Sequence, residues 1–257
     1  MNELLKRLGL TQLARALPRL LDEARQQQLS YDAFLQMALE AEIGGRQQRA
    51  LERRMRAARL PRRVRLEAFD FSFQPTLSER LVRELASLRF IQTATNVVFL
   101  GPPGVGKTHL ASALAIAAME GGYSALFTTL SQLAANLDVP SVRAARYGRL
   151  QRYVRPHILI VDEVGYTRLN AEQAHHLFEL VTARYERGAM VVTSNLSFAD
   201  WGGLLGDEVL ATALLDRLLH HAEIITINGR SYRMRERMIA DTAERAGSGV
   251  GQNRSAI

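Results

Sequence analysis

An apolar run, Val97-Val98-Phe99-Leu100, leads straight into Gly101-Pro102-Pro103-Gly104-Val105-Gly106-Lys107-Thr108, and a helix-forming stretch follows at once. Such an octet belongs between a buried strand and the first turn of a helix. Its glycines let backbone N–H groups curl around an anion, and the helix N-terminus adds a favourable dipole. This is the P-loop pattern, in which the lysine reaches the β- and γ-phosphates of a nucleotide and the next hydroxyl ligands Mg2+. Lys107 and Thr108 take those positions, and the loop from Gly101 through His109 is the expected ATP-binding segment. An ordinary Gly-rich turn is the bland alternative. Lysine usage weighs against a chance match, because Lys6 and Lys107 are the only lysines among 33 basic residues.

The surrounding pattern agrees. Continuous apolar or β-branched runs at 97–100, 125–128, 158–161, 190–193 and 224–227 read as strands. Runs without polar alternation suit a parallel sheet covered on both faces, hence an α/β fold. Helices are expected at 108–120, 171–187 and 208–221. Residues 1–66 read as a separate helical domain for a partner or for dimerisation. Leu13, Leu17, Leu20 and Leu21 recur at helical spacing, and Ser30 is placed to cap a second helix carrying Phe34, Met37, Ala38 and Ile43. Gly44-Gly45 either interrupts that helix or is carried within it, and Pro61 is expected to end it. Phe69-Asp70-Phe71-Ser72-Phe73 reads as a linker whose aromatics dock on the next domain, 67–240. The tail, 241–257, is rich in Gly, Ser and Asn and is expected to be disordered.

A second element handles metal and water. The strand at 158–161 ends in Asp162-Glu163, an acidic pair at the carboxyl edge of a buried strand, where a nucleotide would lie. Asp162 is expected to hold Mg2+ through water and Glu163 to polarise the attacking water. A third strand runs into Ser194-Asn195, which puts a polar amide beside the γ-phosphate or makes a simple turn.

These motifs, with Val192-Thr-Ser-Asn-Leu-Ser-Phe198, Asp216-Arg-Leu-Leu-His-His221 and Gly229-Arg-Ser-Tyr-Arg233, resemble the DnaC/IstB branch of AAA+ proteins. The likeness runs to about residue 238 and is nearest to the IstB-like transposition helper ATPases of insertion sequences. It implies an AAA+ P-loop NTPase that hydrolyses ATP, with Asn195 as sensor-1 residue, Arg217 as arginine finger and Arg233 as sensor-2 arginine. A finger reaching the neighbouring subunit implies a homo-oligomer assembled with ATP. Read from the residues alone, the bland alternatives are a helix salt bridge near Asp216 for Arg217 and a basic surface position for Arg233. The resemblance also implies a transposase as partner. The alternative is a replicative helicase loader of the DnaC type, acting on single-stranded DNA and a helicase.

Arg143, Arg146, Arg149, Arg152 and Arg155 recur every third residue, with Tyr147 and Tyr153 between them and no acidic residue from Ser141 to His157. Helical arginines spaced by three share a broad face, which suits a DNA backbone or a solvated face. The two tyrosines either stack on bases or pack in the core. A second run from Arg46 to Arg65 reads as DNA contacts or as a docking connection. Without a base-reading element, contact with DNA is expected to be largely sequence-independent, and the resemblance implies that duplex is favoured. The net charge of +7 favours such partners. There is no cysteine and no run of about 18 apolar residues, so disulfides, thiolate metal sites and a membrane span are not expected. The amino terminus does not read as a secretory signal, and a cytoplasmic protein is expected. The four histidines of the pairs 175–176 and 220–221 are read as helix surface or packing, because helical neighbours point about 100° apart.

Overall fold

The computed structural model describes residues 1–138, 143–232 and 234, with residues 143–146 described as backbone only. Arg233, the side chains of Arg143 and Arg146, and the tail therefore lie outside the described residues. Two compact units divide at Arg56/Ala57.

The first unit is helical: α1 (Asn2–Arg7), α2 (Thr11–Gln26) and α3 (Tyr31–Ala57). Leu13 and Leu20 pack with Ala38 at its centre, flanked by Leu17, Phe34 and Met37. Gly44-Gly45 is carried within α3. At Gly45 a side chain would meet Gln12 at 2.3 Å, so the glycine lets α2 and α3 approach. The start of α2 has no side-chain cap of its own. Instead Glu42, from α3, accepts the N–H groups of Gln12 and Leu13 at 2.8 Å each and pairs with Arg46 at 2.7 Å. Burial pushes this carboxyl up, but the bonds from Leu13, Arg46 and Gln12 outweigh it and hold the group below its ordinary value.

α3 stops at Ala57, ahead of Pro61, and Arg59 turns the chain with φ 57°. Short 3-10 turns at Leu66–Ala68 and Phe71–Phe73 lead to α4 (Glu79–Leu85) and α5 (Arg89–Gln92). Then come β1 (Asn96–Leu100), α6 (Lys107–Glu120), β2 (Ala125–Thr129), α7 (Leu130–Leu137), α8 (Arg143–Val154), β3 (Ile158–Val164), α9 (Ala171–Arg184), β4 (Ala189–Ser194), α10 (Trp201–Leu205), α11 (Glu208–Leu219) and β5 (Ala222–Thr226). The five strands are all parallel, in the order β2-β3-β4-β1-β5. The order sets β4 between β1 and β3, so the carboxyl ends of those three strands lie side by side. Strands β1, β3 and β4 are buried almost throughout, as expected for a sheet covered on both faces. α6 is apolar nearly all round and correspondingly buried.

The ends of α9 and α11 come earlier than the sequence suggests, at Arg184 and Leu219. Arg184 shows why α9 is pinned there. Only 1% exposed, it donates from Nη1 to the carbonyls of Tyr153, Val154 and Pro156 at 2.9 Å. Its Nη2 reaches the carbonyls of His157 at 3.3 Å and Ala189 at 2.7 Å. Burial pushes the guanidinium down to about 10, which still leaves it charged at neutral pH. One side chain thus closes the carboxyl end of α8 and ties it to the starts of β3 and β4. Arg184→Met strands those carbonyls, and at roughly 1–3 kcal/mol for each unmet buried group a loss of several kcal/mol is expected. Urea unfolding would read this as a lower midpoint, only partly recovered by Arg184→Lys, whose ammonium cannot fork to five acceptors.

Candidate nucleotide site

The turn between β1 and α6 is built by backbone freedom at three glycines: Gly101, Gly104 and Gly106 have φ of 148°, 85° and 103°. A side chain at Gly101 would strike the Ile227 carbonyl at 2.2 Å, and one at Gly104 the Ser231 hydroxyl at 2.2 Å. Only glycine fits, and the result is a loop whose amides open onto the first turn of α6. Lys107, 8% exposed, is folded back so that Nζ donates to the Gly101 and Pro102 carbonyls at 2.7 and 2.8 Å.

Across the loop, β3 ends beside Thr108. The Thr108 hydroxyl lies 3.0 Å from both carboxylate oxygens of Asp162, itself 3% exposed. Thr193 of β4 ties the far side: its hydroxyl donates to Asp162 Oδ1 at 2.5 Å and accepts from the Glu163 amide at 3.1 Å. The pairing of β3 with β4 slips between Val161 and Val164, and Glu163 sits in that bulge with φ 62°. A bulge re-aims a side chain, and a left-handed non-glycine residue costs energy that the surroundings must supply. Here it leaves Glu163 exposed beside the buried Asp162. From the end of β4, Asn195 presents a buried Oδ1 without a hydrogen-bond partner among the described residues.

Lys107, Thr108, Asp162, Glu163 and Asn195 all line one cavity of about 640 Å³, within the range that takes a drug-sized ligand. His109 joins them, with Nε2 3.2 Å from the Arg65 carbonyl and its ring edge-on to Phe69. Thr108 and Asp162 offer oxygen only, which suits Mg2+ shared between one carboxylate and phosphate oxygens. The glycine cradle fits phosphate, and the unmet Asn195 oxygen fits a ligand or water at the end of β4.

Sequence reasoning missed the opposite wall. Arg62, Val64, Phe69 and Gln74 from the segment before α4 line the same cavity, as does Tyr232. Phe69 packs against Gly106, and Phe73 meets Tyr232 edge-on at 5.4 Å. Gln74 Nε2 donates to the Arg230 carbonyl at 3.1 Å, and the Tyr232 amide to the Gly104 carbonyl at 2.9 Å. The one visible signal was the cluster of three phenylalanines in a polar stretch.

One expected residue, Arg217, is not brought to this cavity. Arg217 is half-buried on α11, donating to the Ala213 carbonyl at 3.0 Å and lying 4.9 Å over the Phe178 ring. It is absent from the cavity lining, and among the described residues no carboxylate pairs with it, so the salt bridge near Asp216 is not formed. Arg233 lies outside the described residues. On α8, Arg149 is half-buried, whereas Arg152 and, just past the helix end, Arg155 are exposed. Tyr153 is buried in the core at 3% exposure, which excludes base stacking by that ring; Tyr147 is 63% exposed.

Comparison with known proteins places these features in company. The family described as IstB-like ATP binding protein matches residues 3–240. A protein of insertion sequence IS21 from Pseudomonas aeruginosa, named for ATP binding, is 47% identical over 238 residues, covering 91% of this chain and 88% of its own. Its counterpart in insertion sequence IS5376 from Geobacillus stearothermophilus is 41% identical over 248 residues, covering 95% and 97%. Among solved structures, DnaI superposes with a TM-score of 0.55 at 20% identity, covering 64% of this chain and 91% of its own. The replication initiator DnaA bound to AMPPCP and single-stranded DNA superposes with 0.52 at 18%, covering 66% and 51%. These two likenesses concern the fold, which is that of AAA+ P-loop proteins.

Proposed function

The chain belongs to the IstB-like ATP-binding protein family, and from that we propose that it is an ATPase that assembles on duplex DNA and assists the transposase of its insertion sequence in target selection and strand transfer. The observation that carries the reading is the convergence of Lys107, Thr108, Asp162, Glu163 and Asn195 on one cavity.

The chemistry follows from their positions. Lys107 exchanges its two carbonyl partners for the β- and γ-phosphates when ATP enters. Thr108 and Asp162 would hold Mg2+, which when bound neutralises charge on the phosphate oxygens. Glu163 takes hold of the attacking water, and Asn195 orients it through its unmet oxygen. Little covalent work falls to the protein in phosphoryl transfer, so positioning and charge stabilisation are what these residues contribute. Arg217, away from its own chain's cavity, serves the neighbouring subunit's site as arginine finger, and Arg233 acts as the sensor-2 arginine. The site is then complete only between subunits, which couples ATP binding to assembly. Arg149, Arg152 and Arg155 of the α8 region, with Arg143 and Arg146, supply sequence-independent contacts to the DNA backbone. The insertion-sequence setting of the relatives supports a transposase as the partner.

Sedimentation of the protein with duplex DNA and a non-hydrolysable ATP analogue tests this. Protein–DNA assemblies larger than one protomer are expected with the analogue and not without it, and Lys107→Ala is expected to abolish them. Assembly unaffected by nucleotide would sink the reading.

A further inference from the structure

Two histidines sit where α11 gives way to β5. α11 ends at Leu219, His220 is its cap, and His221 lies beyond it, directly before β5. His220 keeps the helical φ and ψ of −52° and −44°, and the two rings lie 4.2 Å apart, centre to centre. Glu186, from the turn after α9, joins them. One ligand atom from each of Glu186, His220 and His221 lies within 4.8 Å of the others.

We infer that Glu186, His220 and His221 form a site for a transition-metal ion of the zinc class, at the edge of the sheet opposite the nucleotide cavity. Two imidazoles and one carboxylate are a donor set for zinc, whereas Mg2+ takes oxygen ligands alone. Three protein ligands leave the fourth tetrahedral position to water. Ligand atoms around tetrahedral zinc stand about 3.3 Å apart. His221 Nε2 and Glu186 Oε1 are already at 3.6 Å. All three side chains are exposed.

The backbone beneath the cluster is held on every side. The Asn96 amide donates to the His221 carbonyl at 2.8 Å, and Asn96 Nδ2 to the Leu218 carbonyl at 2.8 Å. Asn96 Oδ1 accepts from the Met190 amide at 2.9 Å, so one residue of β1 fixes the end of α11 and the start of β4. Arg184 pins the end of α9 immediately before Tyr185 and Glu186. The Tyr185 hydroxyl, 2.7 Å from His220 Nδ1, steadies that ring, and ligating imidazoles are commonly oriented by such an outer partner. The carboxyl ends of α9 and α11 also converge here, and the negative end of a helix favours a cation. The parallel register sets the place: His221 precedes Ala222, which pairs with Asn96 at the start of β1, while the glycine loop follows the end of β1. The ion would clamp α9 to α11 one turn beyond Arg217.

Full-length, tag-free, metal-stripped protein without nucleotide is dialysed to equilibrium against Zn2+, and thermal unfolding is recorded in parallel. One Zn2+ per chain and a raised Tm are expected, with affinity at least tenfold weaker in both His220→Ala and Glu186→Gln. His175→Ala, an exposed histidine elsewhere on α9, is expected to bind as the unaltered chain does. These exposed substitutions should leave metal-free unfolding unchanged, which separates lost ligation from lost folding. No saturable Zn2+ binding, or binding that persists in His220→Ala and Glu186→Gln, including binding at Asp162, would overturn the assignment.

Discussion

Glu163→Gln is expected to lower steady-state ATP turnover roughly 100- to 1000-fold, the scale of losing a general base, while ATP binding is retained. The substitution is nearly isosteric at an exposed position, and the left-handed turn that carries residue 163 is a backbone feature that glutamine can occupy as glutamate does. The Asp162–Thr108–Thr193 arrangement does not depend on the Glu163 side chain and should survive. Phosphate release would measure the loss, and a fluorescent nucleotide would report binding. If assembly needs ATP bound rather than spent, this variant should also accumulate on duplex DNA. Unchanged turnover would instead point to a nucleotide switch whose basal hydrolysis does not use Glu163.

Arg217→Ala is expected to cost roughly a thousandfold or more in turnover, as arginine fingers do. Its distinctive consequence appears on mixing. Arg217→Ala protomers keep Glu163, and Glu163→Gln protomers keep Arg217, so some interfaces in a mixed assembly combine both intact groups. In a head-to-tail assembly formed at random from equal amounts, about one interface in four does so, and turnover should recover to roughly a quarter of the unaltered level. Recovery requires that Arg217 act across the interface; no recovery would place its effect within its own subunit. Arg217→Lys is a useful companion, since it keeps a charge near Phe178 while losing the planar fork.

Much of the site was legible because its parts are short and local. The glycine loop is contiguous with its strand and helix, so periodicity and glycine spacing place it. Asp162-Glu163 and Ser194-Asn195 could be located as the polar ends of apolar runs, and the strand order then brings those ends together. What was not legible depends on contacts between distant segments. Phe69 and Gln74 reach the cavity only because the chain before α4 docks against the glycine loop and residues 228–232. Tyr153 is core rather than surface because α8 packs on α7 and α9. Arg184 read as one more arginine in an arginine-rich chain, and nothing local distinguishes a buried clamp on five carbonyls from a solvated side chain. That Glu186 comes beside the histidine pair depends on the turn after α9, which no local pattern reveals.

The most direct test of the proposed DNA-acting ATPase is ATP turnover titrated with duplex and single-stranded DNA of matched length, with Lys107→Ala as the inactive control. Strong stimulation by duplex and little by single strands is the expected result. Stimulation by single strands alone would contradict it in favour of a helicase loader, and no response to either would remove DNA from the mechanism.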